Sequence, residues 1–83
     1  MLNRVCEDEA LLEDAIALAR RLAEGPTMAF AMTRRLYWAS PQNSFDQQLD
    51  MERQEQRRAG QAEDVMEGIA AFLQKRPARF TGK

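Results

Sequence analysis

The 83-residue chain has no histidine. Without imidazole there is no Ser–His or Cys–His nucleophile pair and no imidazole metal ligand. Cysteine is nearly missing as well. Cys6 stands alone, so an internal disulfide and any C-x-x-C metal or redox motif are excluded. A lone thiol goes with a reducing, cytoplasmic setting. Long apolar runs are absent: the longest, Met28 to Met32 among them, have five residues, against the ~20 that a membrane helix needs. Residues 1–15 carry acids instead of a basic stretch followed by an apolar run, so they do not read as a signal peptide. Neither sign of charge dominates. A net charge of −1 argues against general nucleic-acid binding. Val, Ile and Thr together number seven, too few for a sheet.

What is present is helix composition: Ala, Leu, Glu, Gln, Arg and Met. The fold class expected is all-α, one small domain of three to four helices over residues 1–83. Apolar residues make up 45%, but thirteen of them are Ala. So small a set of large side chains makes a thin core, one that leans on a partner or on a larger body of protein.

The first helix is expected over about residues 9–24. Leu11, Ala15, Leu18 and Leu22 recur at helical spacing, and Leu12, Ile16, Ala19 and Ala23 widen the stripe. Gly25 ends it and Pro26 opens the second helix, to about Trp38. Met28, Met32 and Leu36 share one face there; Phe30, Arg34 and Trp38 share another. Its wide apolar arc marks it as the most buried element. Ser40-Pro41-Gln42-Asn43 is a turn. Ser44 and Gln47 resemble a capping box opening the third helix, to about Ala59. That helix is polar nearly all round after Met51, as for a solvent-bridging helix or one with a narrow seam. The fourth helix is expected over about 63–75, with Val65, Ile69, Phe72 and Leu73 on one stripe and Gly68 marking a close helix–helix approach. Pro77 stops it, and residues 76–83 form a short basic tail. Residues 1–6, ending Leu2-Asn3-Arg4-Val5, read as the remnant of a strand with no partner strand in the chain. The chain looks cut from something longer.

Most chemistry-bearing groups have plain explanations. Glu7, Asp8 and Glu9 complement the dipole of the first helix. Glu52 and Glu55, one turn apart with Arg53, Arg57 and Arg58 close by, form a solvated ion-pair face instead of an acid–base pair. Met28, Met32, Met51 and Met66 fill core space. Cys6 has no base to activate it and reads as an incidental thiol. No catalytic residue and no metal ligand set emerges. The tail is different. Lys75, Arg76, Arg79 and Lys83 interleave with Phe72 and Phe80, which suits a phosphate carrying an aromatic base: cations for the phosphate, rings for stacking. A solubilising tail accounts for the same residues.

Three stretches together carry a resemblance. Leu2-Asn3-Arg4-Val5 with the acidic turn and Leu11-Leu12, then Leu22-Ala23-Glu24-Gly25-Pro26-Thr27, then Glu63-Asp64 with Glu67-Gly68-Ile69-Ala70-Ala71-Phe72-Leu73-Gln74-Lys75-Arg76-Pro77 and Arg79-Phe80, resemble the C-terminal region of the crotonase (enoyl-CoA hydratase/isomerase) family. The likeness includes its bacterial phenylacetate-degradation isomerase branch. It implies a parent enzyme acting on acyl-CoA thioesters, with an oxyanion hole of backbone N–H groups and acidic proton carriers that lie in a larger N-terminal domain. No catalytic residue of the family matches here. The implied role is a lid over CoA and a contact for oligomers, as trimers or, for a fragment, dimers. Coenzyme A enters as part of the substrate, with no separate cofactor. Phe72 matches a family Phe beside the CoA adenine and Lys75 a family Lys on CoA phosphate, three residues apart on one helix face; Arg76 and Phe80 join them as CoA-binding candidates. Gln56 departs from an aromatic found in some members. Ala62 departs from a capping Ser, leaving Gln61 or Glu63 to compensate. A self-standing helical adaptor and a small CoA-binding module are the alternatives; neither a membrane nor a nucleic acid is an expected partner.

Overall fold

The computed structural model describes residues 2–83. It is all-helical: four α-helices, with no strand among the described residues. Residues 2–7 are irregular and mostly exposed, tied to the first helix by an Arg4–Asp14 ion pair at 3.1 Å. They pair with no strand. Met1, part of the expected remnant, lies outside the described residues.

Helix α1 spans Leu11–Ala23, preceded by a 3₁₀ turn at Asp8–Ala10. Its polarity suits the dipole, with Glu13 and Asp14 early and Arg20 and Arg21 late. Helix α2 spans Thr27–Ala39 and runs into a 3₁₀ turn at Ser40–Gln42. Helix α3 spans Phe45–Ala59 and opens on a complete capping box. The Ser44 hydroxyl accepts from the Gln47 backbone N–H at 3.2 Å, and the Gln47 side chain accepts from the Ser44 N–H at 2.9 Å. Helix α4 spans Glu63–Leu73.

Helix α4 stops two residues before the expected end. Lys75 takes a left-handed conformation, φ 53°. The Arg76 N–H then donates to the Ala71 carbonyl at 3.0 Å and the Lys75 N–H to the Phe72 carbonyl at 3.2 Å. This is a Schellman closure with lysine where glycine is usual. A non-glycine residue there carries about 1–2 kcal/mol of strain. Sequence alone pointed at Pro77; the turn comes earlier.

Packing centres on α2 against α3. Arg35 reaches from α2 to grip the Glu55 carboxylate with two nitrogens, at 3.1 and 3.2 Å. This corrects the ion-pair face read for α3. Glu55 pairs across helices, Arg53 pairs with Asp50 at 2.6 Å, and Glu52 accepts from Gln48. Hydrogen bonds from these arginines hold the Glu55 and Asp50 carboxyls below their ordinary range.

The core is thinner than the composition suggested. Among the described residues only Met32 (4% exposed) and Ala71 (3%) are buried apolar residues, and no side chain is fully buried. Met32 is also the only buried residue of α2, whose arc leaves Tyr37 and Trp38 exposed. The expectation that α2 is well buried is thereby corrected. Arg34 lies over the Trp38 ring at 5.3 Å, a cation–π contact on the outside. The molecule is a slab of 45 × 38 × 18 Å. The radius of gyration, 16.0 Å, exceeds the ~12 Å of a compact chain this long. In such a slab most helices have an outer face with nothing packed on it.

Candidate functional site

The four candidate ligand contacts lie at the end of α4 and in the tail, and the tail is not free. The left-handed turn at Lys75 ends helical geometry, and residues 76–83 run back antiparallel along α4. Two α4 acids, one turn apart, receive them. Glu67 takes Arg76 in a two-pronged pair, Nη1–Oε1 2.7 Å and Nη2–Oε2 3.0 Å, and accepts from the Arg79 backbone N–H at 2.7 Å. Asp64, 6% exposed, accepts from the Thr81 N–H at 2.7 Å, the Gly82 N–H at 2.8 Å and the Thr81 hydroxyl at 3.4 Å. Its own N–H donates to the Lys83 carbonyl at 2.9 Å.

That last bond answers what caps α4. The Ala62 position has no side-chain cap bond, and the compensation expected from Gln61 or Glu63 is not made. The tail's backbone supplies an acceptor instead, satisfying one of the free N–H groups of the first turn. Gly82 is needed there: its φ is +80°, and a Cβ would meet the Thr27 hydroxyl of α2 at 2.6 Å. Gly68 does not mark a helix–helix approach. What lies over it is the Phe80 ring, 3.6 Å from where a Cβ would sit.

The tail therefore divides the candidates. Phe80 faces inward, and Arg76, though exposed, is tied down. Arg76 is held by Glu67 and by the Gln74 side chain at 2.7 Å. Phe80, half-buried, walls an apolar cavity of about 180 Å³ with Pro26, Met28, Met32, Ala59 and Val65. Phe72 (83% exposed) and Lys75 face outward, but Lys75 sits beyond the helix end, not on its face as expected. Sequence reasoning missed Asp64 and Glu67 as the tail's anchors. The signal available was two acids one turn apart, preceding a proline and a basic stretch. Gln56, an exposed residue of α3, lines a groove against α2 with Met32 and Glu55. No group of three or more metal-type ligands occurs among the described residues, and no helix there is long and apolar enough to cross a membrane.

The Glu67 carboxyl is pulled down to about 2, chiefly by its hydrogen bonds from Arg76 and then from the Arg79 N–H. Unfolded, it titrates near 4.3. A depressed folded value means the Glu67–Arg76 link contributes fully above the unfolded value and is lost as pH falls toward 2. Carboxyl-carbon NMR should give Glu67 a midpoint near about 2; one near the ordinary ~4.3 would contradict the clasp geometry.

The family model for enoyl-CoA hydratase/isomerase matches residues 1–83. The chain belongs to that family. It is 43% identical over 83 residues to 1,2-epoxyphenylacetyl-CoA isomerase of Escherichia coli K12, covering 100% of this chain and 32% of that protein. It is 43% identical over 67 residues to a probable enoyl-CoA hydratase of Rhodobacter capsulatus, covering 81% of this chain and 26% of that one. Among solved structures, an enoyl-CoA hydratase subunit of Geobacillus kaustophilus superposes with a TM-score of 0.91 at 36% identity, covering 99% of this chain and 32% of that one. An enoyl-CoA hydratase of Mycobacterium marinum gives 0.86 at 34%, covering 100% and 34%. The chain thus spans about a third of the length of the relatives it matches.

Proposed function

We propose that these 83 residues serve as the helical lid and assembly segment of an enzyme acting on acyl-CoA thioesters, and that they do not turn over substrate alone. The observation carrying this is the exposed apolar surface. Leu11, Leu12 and Ile16 on α1, Tyr37 and Trp38 on α2, and Met66, Ile69, Phe72 and Leu73 on α4 all lie open. So much apolar surface marks interfaces, and its presence on three helices suits contact with both an enzyme body and a second subunit. Phe72 and Lys75 are the groups offered to CoA, ring for adenine and ammonium for phosphate. Arg76, committed to Glu67, and Phe80, turned inward, support them. The acids and oxyanion-hole N–H groups of the reaction belong to other parts of the enzyme. A cytoplasmic location goes with this reading.

The test is transplantation. These 83 residues replace the matching segment of the Escherichia coli isomerase, 43% identical. The chimera should keep that enzyme's oligomeric state and turnover, whereas the isolated chain should turn over nothing and self-associate at high micromolar concentration. A chimera that assembles without turnover, or an isolated chain that stays monomeric, counts against the proposal.

A further inference from the structure

We propose that Asp64 and Glu67 are positioning residues: a two-carboxylate clasp that holds residues 76–83 as a strap and thereby fixes the left-handed turn presenting Lys75. The proposal rests on the reading that Phe72 and Lys75 face CoA, and it adds what holds them in place.

The register of the strap is specific. Asp64 and Glu67 are three residues apart, about 4.5 Å along a helix. Thr81 and Arg79 are two residues apart, about 6.6 Å along an extended chain. The two spacings are close enough for each carboxylate to take one backbone N–H of the strap. Asp64 is the deeper anchor, accepting three hydrogen bonds while almost wholly buried. Glu67 closes the other end. It takes Arg79 from the strap and Arg76 from the position directly after Lys75. The strained turn at Lys75 thus sits between the end of α4 and a residue pinned by two nitrogens. Strain at a non-glycine residue persists where its surroundings over-determine it, and the clasp supplies that. The strap also crosses to α2, through Gly82 against Thr27 and Phe80 in the cavity wall. Releasing it would loosen both helices' hold on the Lys75 turn.

Asp64→Asn is nearly isosteric but replaces one acceptor oxygen with an NH₂ donor, so it cannot accept from both Thr81 and Gly82. In the 83-residue chain, amide hydrogen exchange at Thr81 and Gly82 should quicken at least about tenfold relative to the α4 interior. In the chimera, Asp64→Asn should raise KM for the acyl-CoA about fivefold, while kcat falls less than about twofold. Glu67→Gln, which keeps one acceptor, should do the same more weakly, and it serves if Asp64→Asn folds poorly. A purely structural role would lower kcat through loss of folded enzyme and leave KM unchanged. Unchanged exchange at Thr81 and Gly82 overturns the clasp. Faster exchange with KM unchanged overturns the positioning role, provided Phe72→Ala still weakens CoA binding. If Phe72→Ala has no effect either, the CoA reading itself has failed.

Discussion

Met32→Ala is expected to cost the isolated chain about 2–3 kcal/mol, the low end for truncating a buried methionine, because a cavity already lies against the site. Met32 is one of only two buried apolar residues among the described residues and touches both the α2–α3 seam and the cavity walled by Phe80. Domains this small hold ~3–5 kcal/mol in total. The loss therefore takes about half of the stability and should show as a large drop in urea midpoint by circular dichroism, at fixed protein concentration. Met32→Leu conserves volume and should cost less than ~1.5 kcal/mol. A Met32→Ala midpoint equal to that of the unsubstituted chain would mean that the stability lies in association between copies and not in this seam.

The same thinness explains which features could be read from residues. The capping box at Ser44 and Gln47 is local, set by residues three apart, and was legible. So was the helical class, because periodicity needs no partner. The apolar arc of α2 misled: an arc predicts burial only when something is present to cover it, and here Tyr37 and Trp38 stay open. The end of α4 misled for another reason. Lys75 occupies a position where glycine is the usual signal, so composition gave no warning. The strap depends on contacts between residues 9 to 19 apart in sequence, beyond any local pattern. Its basic residues looked free for phosphate, yet Arg76 is paired with Glu67. Phe72 and Lys75 were legible as candidates through their likeness to the family. Which of the four faces outward was not, since that is decided by the fold-back after Pro77.

Lys75 offers the most direct test of the central claim, that the outer ridge of α4 and its closing turn contact CoA. Lys75→Gly has two effects of opposite sign. It relieves the left-handed strain at φ 53°, worth about 1 kcal/mol, and it removes the ammonium. In the chimera it should therefore raise the melting temperature slightly while weakening inhibition by free CoA about tenfold, the loss of ~1.4 kcal/mol expected for one charge-assisted phosphate contact. Stability and affinity moving in opposite directions cannot come from damage to the fold. The measurement is the CoA inhibition constant of the chimera with and without Lys75→Gly: a roughly tenfold increase is the predicted result, and an unchanged constant in a stable, active chimera would contradict the account.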